Sequence, residues 1–379
     1  MQALFVNTCS MRREMVALIR ELVECESPSD DPPAVHRFVD LVAGTVAPLA
    51  RVRAFPGGRF GRHLRAEFFL PGKKKEGQIL LLGHSDTVWP LGTLDEMPFR
   101  EAEGRLWGPG VLDMKAGIAV AIFAARALRE LDRPVRRRVV LLLNSDEEVG
   151  SHSSRALIER EARRSAAVLV LEPGTGLEGK LKTARKGVGG YTIRVRGKAA
   201  HAGVDFAAGA NAVVELARQI ETVAGFTRLE RGITVNPGVI GGGSRVNVVP
   251  DEARAEIDIR VPRLKDAAAL DRKFRRLRPY DKRCAIQVSG GLSRPPMERS
   301  AGGVKLFRAA QRLAAEMGLR LDESMSGGGS DGNFTAALGI PTLDGLGAVG
   351  EGAHARHESI LVERLPDRAA LLAGLLAAI

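Results

Sequence analysis

Three stretches of uninterrupted apolar residues constrain the fold of this chain more than any other feature: QILLLG at 78–83, VVLLLN at 139–144 and AAVLVLE at 166–172. A strand with one wet face alternates apolar and polar residues. A short run without alternation suits a strand buried on both faces, as in a parallel sheet. Between the first two runs, AGIAVAIFAARALRELDR (116–133) reads as a helix that stops at Pro134. This βαβ pattern predicts an α/β domain with a mixed, mostly parallel sheet. Residues 12–25 and 34–50 read as two further helices ahead of the sheet. The first ten residues are expected to be an ill-ordered extension, because Met11 could equally start the domain.

The middle of the chain has a different texture. GGYTIRVRG (189–197) and EARAEIDIRV (252–261) alternate apolar and polar residues, as strands with one solvated face do. Helical segments at 210–225 and 264–277, the stretch GITVNPGVIGG (232–242) and a last strand at 285–291 complete a β-α-β-β-α-β order, the pattern of a small α+β sandwich. A helix at 302–317, a strand, the loop SGGGSDGN and an apolar helix at 366–379 return to the first texture. The expected organisation is one α/β domain of residues 1–186 and 297–379, interrupted by an inserted α+β domain of 187–296.

At 379 residues the chain is too long for one compact core. Lys and Arg number 56 against 45 Asp and Glu, a net charge of +11. The basic residues are scattered, with only short runs at Lys73–Lys75 and Arg136–Arg138, so a solvated basic surface is expected rather than a nucleic-acid partner. Aromatic residues make up only 4%, which argues against a base-stacking platform. No apolar run approaches the 18 residues a membrane span needs, and no basic segment precedes a signal-like core; a cytoplasmic protein without membrane contact is expected. Cys9, Cys25 and Cys284 are odd in number and widely spaced, which speaks against a disulfide framework or a cysteine zinc site.

The chemistry lies just after the buried runs. His84 and Asp86 follow the first; Asp146, Glu147 and Glu148 follow the second; Glu172 ends the third. Open parallel sheets bind ligands beyond the carboxyl ends of their strands. Imidazole and carboxylate delivered to one edge form a donor set for zinc or a similar divalent ion. Asp113, in the turn GPGVLDMKAG, and His354, in GEGAHARHE, are further candidates. A lone histidine at a strand end is more often structural, and an acidic pair can simply favour a helix start. Together, however, such groups would repel one another unless a cation compensates. Five donors are too few for two separate four-ligand sites, which one bridging carboxylate and bound water would remedy. Gly174, Gly176 and Gly179 formally match a dinucleotide fingerprint, but no apolar helix follows them.

As a set, GHSDTVWP, GPGVLDMKAG, NSDEEVGS, LEPG, GKAAHAG and GGGSDGN resemble the dinuclear zinc aminoacylase/carboxypeptidase family, which includes glutamate carboxypeptidase, acetylornithine deacetylase and succinyl-diaminopimelate desuccinylase. The resemblance runs from about residue 80 to 358 and looks nearest the glutamate carboxypeptidase branch. It implies two Zn²⁺ per chain, with Co²⁺ or Mn²⁺ as substitutes. Asp113 would bridge them, His84 and Glu172 would complete one site, and Glu148 and His354 the other. His354 is preferred to His357 because it stands four residues before Glu358, as in the family. Asp86 would orient His84, and Glu147 would be the general base. The inserted domain would be a dimerisation lid, with His201 reaching across a homodimer to steady the oxyanion. Asn247, Arg260 and Lys180 match positions that contact substrate.

One departure bears on substrate. Met325 stands where the glutamate branch has a carboxylate-binding arginine, and a thioether cannot replace a guanidinium fork. Ala116 also replaces a frequent glycine. The resemblance thus implies a zinc hydrolase that cleaves an acyl or peptidyl group from a carboxylate-bearing C-terminal amino acid, its substrate a small peptide or N-acyl amino acid. An N-acyl amino acid deacylase is the alternative, and a catalytically silent metal-binding scaffold the reading of another class.

Overall fold

The computed structural model describes residues 1–73 and 75–379. The chain divides into two compact units: Met1–Ala184 with Arg299–Ser326 and Ser330–Ile379, and Arg185–Glu298 with Gly327–Gly329. Part of the glycine-rich loop therefore groups with the smaller unit.

The larger unit is built on a six-stranded sheet. Strand Gln78–His84 lies between Arg138–Asn144 and Ser165–Val170 and is parallel to both. Thr342–Leu343 adds a parallel strand beyond Ser165–Val170. On the other side, Arg62–Phe68 and Ala50–Pro56 add two antiparallel strands. The sheet is thus mixed and mostly parallel in its centre, as the apolar runs predict.

Both faces of these strands are covered, which is why they carry no alternation. Ile79, Leu81, Leu141 and Leu169 join the core beneath helices Ala116–Glu130 and Leu365–Ala378. Leu80, Leu82, Val140 and Val168 pack with Leu157 and Ile158 of helix Arg155–Arg163 on the opposite face. Among the described residues no helix is long and apolar enough to cross a membrane.

Two local expectations are corrected. Residues 1–10 are not a loose extension: Gln2–Ser10 is a helix with Leu4 and Thr8 buried. The Thr8 hydroxyl donates to Pro366 O at 2.9 Å, a partner 358 residues away that no local pattern announces. The helix expected over 34–50 spans Pro32–Val46, Pro48 follows, and Ala50–Pro56 is an edge strand.

In the smaller unit four antiparallel strands lie in the order Thr234–Gly242, Glu252–Val261, Gly187–Arg196, Ala285–Arg294. Alternate residues Tyr191, Ile193 and Val195 pack with Leu216 and Phe274 from helices Ala212–Ala224 and Leu264–Arg275. Tyr191 stacks on Phe274 with ring centroids 3.8 Å apart.

Candidate metal centre

The three parallel strands end in register. His84 pairs with Asn144 at the last rung, so the loops that follow leave from the same edge of the larger unit. Onto this edge fold Asp113, at a kink ahead of helix Ala116–Glu130, and His354, held at φ 62°. A positive φ is uncommon for a residue with a side chain and is a feature of functional loops.

Two donor groups result: His84, Asp113 and Glu172, and Asp113, Glu148 and His354. His84 Nε2 lies 3.2 Å from Asp113 Oδ1 and 3.4 Å from Glu172 Oε1. His354 Nε2 lies 3.4 Å from Asp113 Oδ2 and 3.3 Å from Glu148 Oε2. Each oxygen of Asp113 therefore faces a different group. Donors about 2.0–2.1 Å from a tetrahedral ion stand roughly 3.4 Å apart, so the observed spacings fit divalent ions. Glu148 Oε1 is buried and accepts no hydrogen bond among the described residues, which leaves it open to a metal ion.

The electrostatics point the same way. Burial opposes a charged His84, yet hydrogen bonds with Asp113, Asp86 and Glu172 outweigh it and hold the ring well above its ordinary pKa. Hydrogen bonds to Asp113 and Glu148 push His354 up to about 10. Burial works to raise Asp113, but both imidazoles hold it well below the carboxylate range. In the metal-free chain, protons on two histidines supply the positive charge the carboxylates require. A folded pKa above the unfolded one makes this pairing stabilising in full below about pH 6.5, and it is lost as pH rises toward 10. Divalent ions need neutral imidazoles, so loading at pH 7–8 is expected to release roughly two protons per chain. Calorimetry in buffers of different ionisation enthalpy measures this; loading without proton release would contradict the arrangement.

Asp86 meets His84 with its main-chain carbonyl as well as its carboxylate. His84 Nδ1 is held at 2.9 Å by the Asp86 main-chain carbonyl, whereas the carboxylate is 3.5 Å away. That carboxylate is occupied by the Ser29 hydroxyl at 2.7 Å and by the main-chain N–H groups of Glu147 and Glu148, both at 3.2 Å. Asp86 thus ties the loop bearing Glu147 and Glu148 to the end of the neighbouring strand. Glu147 itself is half-buried and belongs to neither donor group.

Two residues have a larger part than the sequence reading assigned them. Glu358 served there only as the spacing partner of His354. It is fully buried and accepts from the N–H groups of Gly110, Leu112 and Asp113 at 2.8–3.0 Å and from Trp89 Nε1 at 2.8 Å. It therefore shapes the turn that presents Asp113, and the four-residue spacing was its one signal. Asp331, in the GGGSDGN loop, accepts from Asn144 Nδ2 at 2.8 Å and from the Ser151 hydroxyl, bracing the same acidic loop. His357 is exposed.

Residues 80–378 match the sequence model of Peptidase family M20/M25/M40. The chain belongs to this family. It is accordingly an enzyme of the metal-dependent peptidase and amidohydrolase class. Over 304 residues it is 31% identical to carboxypeptidase G2 from a Pseudomonas species, a match covering 79% of this chain and 73% of that protein. Succinyl-diaminopimelate desuccinylase from Ectopseudomonas mendocina is 29% identical over 79% of this chain and 82% of its own length. Aminopeptidase PepT from Bacillus cereus shares the fold with a TM-score of 0.82 at 24% identity, over 97% of this chain and 98% of that one.

The remaining expected site residues lie elsewhere. Lys180 sits in the larger unit in a tight turn, bridged to Thr175, and its ammonium has no hydrogen-bond partner among the described residues. In the smaller unit, Ala200–His201 pairs with Val248–Val249, and Ala202 N donates to Asn247 O at 2.9 Å, so His201 and Asn247 lie on adjoining loops. Arg260 stands near the far end of strand Glu252–Val261, with Nε on Asp258 Oδ1 at 2.9 Å.

Proposed function

We propose that the enzyme cleaves the amide bond between an acyl or peptidyl group and a C-terminal amino acid with a free carboxylate, as a zinc metallo-exopeptidase of the glutamate carboxypeptidase kind. The observation that carries this reading is Asp113, which turns one oxygen to each of two imidazole–carboxylate groups. His84, Asp113 and Glu172 would hold one zinc ion, and Asp113, Glu148 and His354 the other. Bound zinc supplies Lewis acidity and makes water a nucleophile near neutral pH. Glu147 takes the proton of the attacking water as the C–O bond forms, and returns it to the amine nitrogen as the C–N bond breaks.

The smaller unit would supply the dimer contact and part of the substrate site. His201 Nδ1 accepts from the N–H groups of Gly203 and Val204, both at 3.1 Å, so the neutral ring carries its proton on Nε2. That is the donor an oxyanion requires. Arg260 lies eight residues along the strand from Glu252, on the order of 26 Å at ~3.3 Å per residue. His201 pairs with Val248, ahead of the Glu252 end of this strand, and so lies toward the opposite end from Arg260, which supports His201 and Asn247 acting on the partner of a homodimer. Arg260 and Lys180 would then hold the substrate carboxylate.

The test is hydrolysis of matched N-acyl and peptidyl Glu, Leu and Ala substrates, each as free acid and as C-terminal amide. Amidation should remove most of kcat/KM. Arg260→Ala should cost about 2–4 kcal/mol in kcat/KM, or roughly 30-fold to 10³-fold. Unchanged values for both would overturn the exopeptidase assignment. Met325 favours a second reading: with an exposed thioether in place of a guanidinium, an N-acyl amino acid deacylase would bind the acyl side more stringently than the carboxylate. In that case the amides remain substrates.

A further inference from the structure

Beneath the acidic loop lies a histidine that none of this chemistry uses. His63 is on strand Arg62–Phe68, which pairs with Arg138–Asn144 through Leu64 opposite Leu143. His63 falls just past that ladder, where the neighbouring strand gives way to the loop carrying Glu147 and Glu148. It is buried, at 1% exposure.

Its hydrogen bonds define one tautomer. Ser145 N–H donates to His63 Nδ1 at 3.2 Å, so this nitrogen carries no proton. The proton of the neutral ring is then on Nε2, which faces Ser153 Oγ at 3.3 Å. Ser153 donates to Asp146 Oδ2 through its N–H at 2.6 Å and its hydroxyl at 2.8 Å. Gly57 makes room for the ring, since a Cβ there would lie 2.8 Å from His63 Cε1. One imidazole therefore ties residue 145 to residue 153, while Asp86 holds the N–H groups of Glu147 and Glu148 from the other side.

We propose that His63 is a positioning residue for catalysis: as the neutral Nε2–H tautomer it clamps Ser145 to Ser153 and fixes the placement of Glu147 and Glu148. The proposal rests on the reading of Glu147 as proton carrier and Glu148 as metal ligand. It also gives the enzyme an acid sensitivity outside the metal ligands. A protonated ring would set an N–H against the N–H of Ser145. Burial holds the pKa below its ordinary value, against the pull of Asp146, Asp86 and Asp331, the carboxylates around the ring. The clamp is therefore closed at neutral pH and opens on acidification.

The experiment compares His63→Phe, which keeps bulk and removes the polar contacts with Ser145 and Ser153, with His63→Asn, whose amide oxygen can accept from Ser145 and cannot titrate. Displacing a catalytic group by a fraction of an ångström to 1 Å should lower kcat of His63→Phe by about 10–100-fold. KM should stay near wild type, and any loss of metal should be confined to the group that contains Glu148. His63→Asn should recover most of kcat and lose one ionisation from the acid limb of its pH profile. A folded, metal-loaded His63→Phe with kcat within twofold of wild type would overturn the proposal. So would a wild-type acid limb in His63→Asn, which decides alone if the phenylalanine variant does not fold. Glu147→Gln serves as the control. If it is inactive while His63→Phe is not, only this proposal fails; if it remains active, the reading of the site fails with it.

Discussion

Glu147→Gln should leave both metal groups occupied while kcat falls on the order of 10²–10⁴-fold, the range for loss of a positioned general base. Glutamine preserves shape and the main-chain hydrogen bond to Asp86 Oδ1, and removes only the ability to take up a proton. Since Glu147 lies in neither donor group, the variant separates proton transfer from metal binding. KM should change little, because substrate carboxylate and acyl contacts are untouched. The measurement is kcat and KM beside metal analysis of the same preparation. A fall in rate that follows a fall in metal content would remove Glu147 from the role of base and place it among the ligands.

Asp113→Ala should have the broadest effect on metal content of any single substitution. Its two oxygens serve the His84–Glu172 pair and the Glu148–His354 pair, so its loss leaves each group with two protein donors. Affinity at both positions should drop by at least about 10²-fold, more than the 10–100-fold seen when an outer partner is lost. His354→Ala provides the contrast, since it touches one group only and should leave the other ion bound. Metal analysis after dialysis at micromolar metal distinguishes the cases. If Asp113→Ala retained one full equivalent, the aspartate would belong to a single site and the two groups would be independent. The substitution should also remove one of the two carboxylates that raise His354, so its pKa should fall below about 10 in the metal-free variant while Glu148 still holds it above its ordinary value.

How much of this centre is legible in the sequence follows from how each part is held. His84, Glu148 and Glu172 could be placed on one edge because short unbroken apolar runs with a helix between them suit strands covered on both faces, and such strands have one ligand-binding end. The smaller unit was legible for the complementary reason: its strands alternate because one face is wet. Asp113 and His354 come from turns, where no periodicity marks position, and only the resemblance of whole motifs connected them to the strand ends. Arg62–Phe68 carries the histidine beneath the acidic loop, yet its mixed apolar and charged residues did not stand out as a strand.

What only the tertiary structure decided is which side chains support which. Glu358 shaping the Asp113 turn, Asp331 and His63 bracing the acidic loop, the Asp86 carboxylate holding that loop, and Thr8 docking on Pro366 all depend on hydrogen bonds between distant residues. Hydrophobic periodicity records burial along each element, so the sequence by itself determined the layers, their order and the edge where ligands gather. A hydrogen bond depends on the position and direction of two atoms brought together by folding, and it leaves no repeat in the chain.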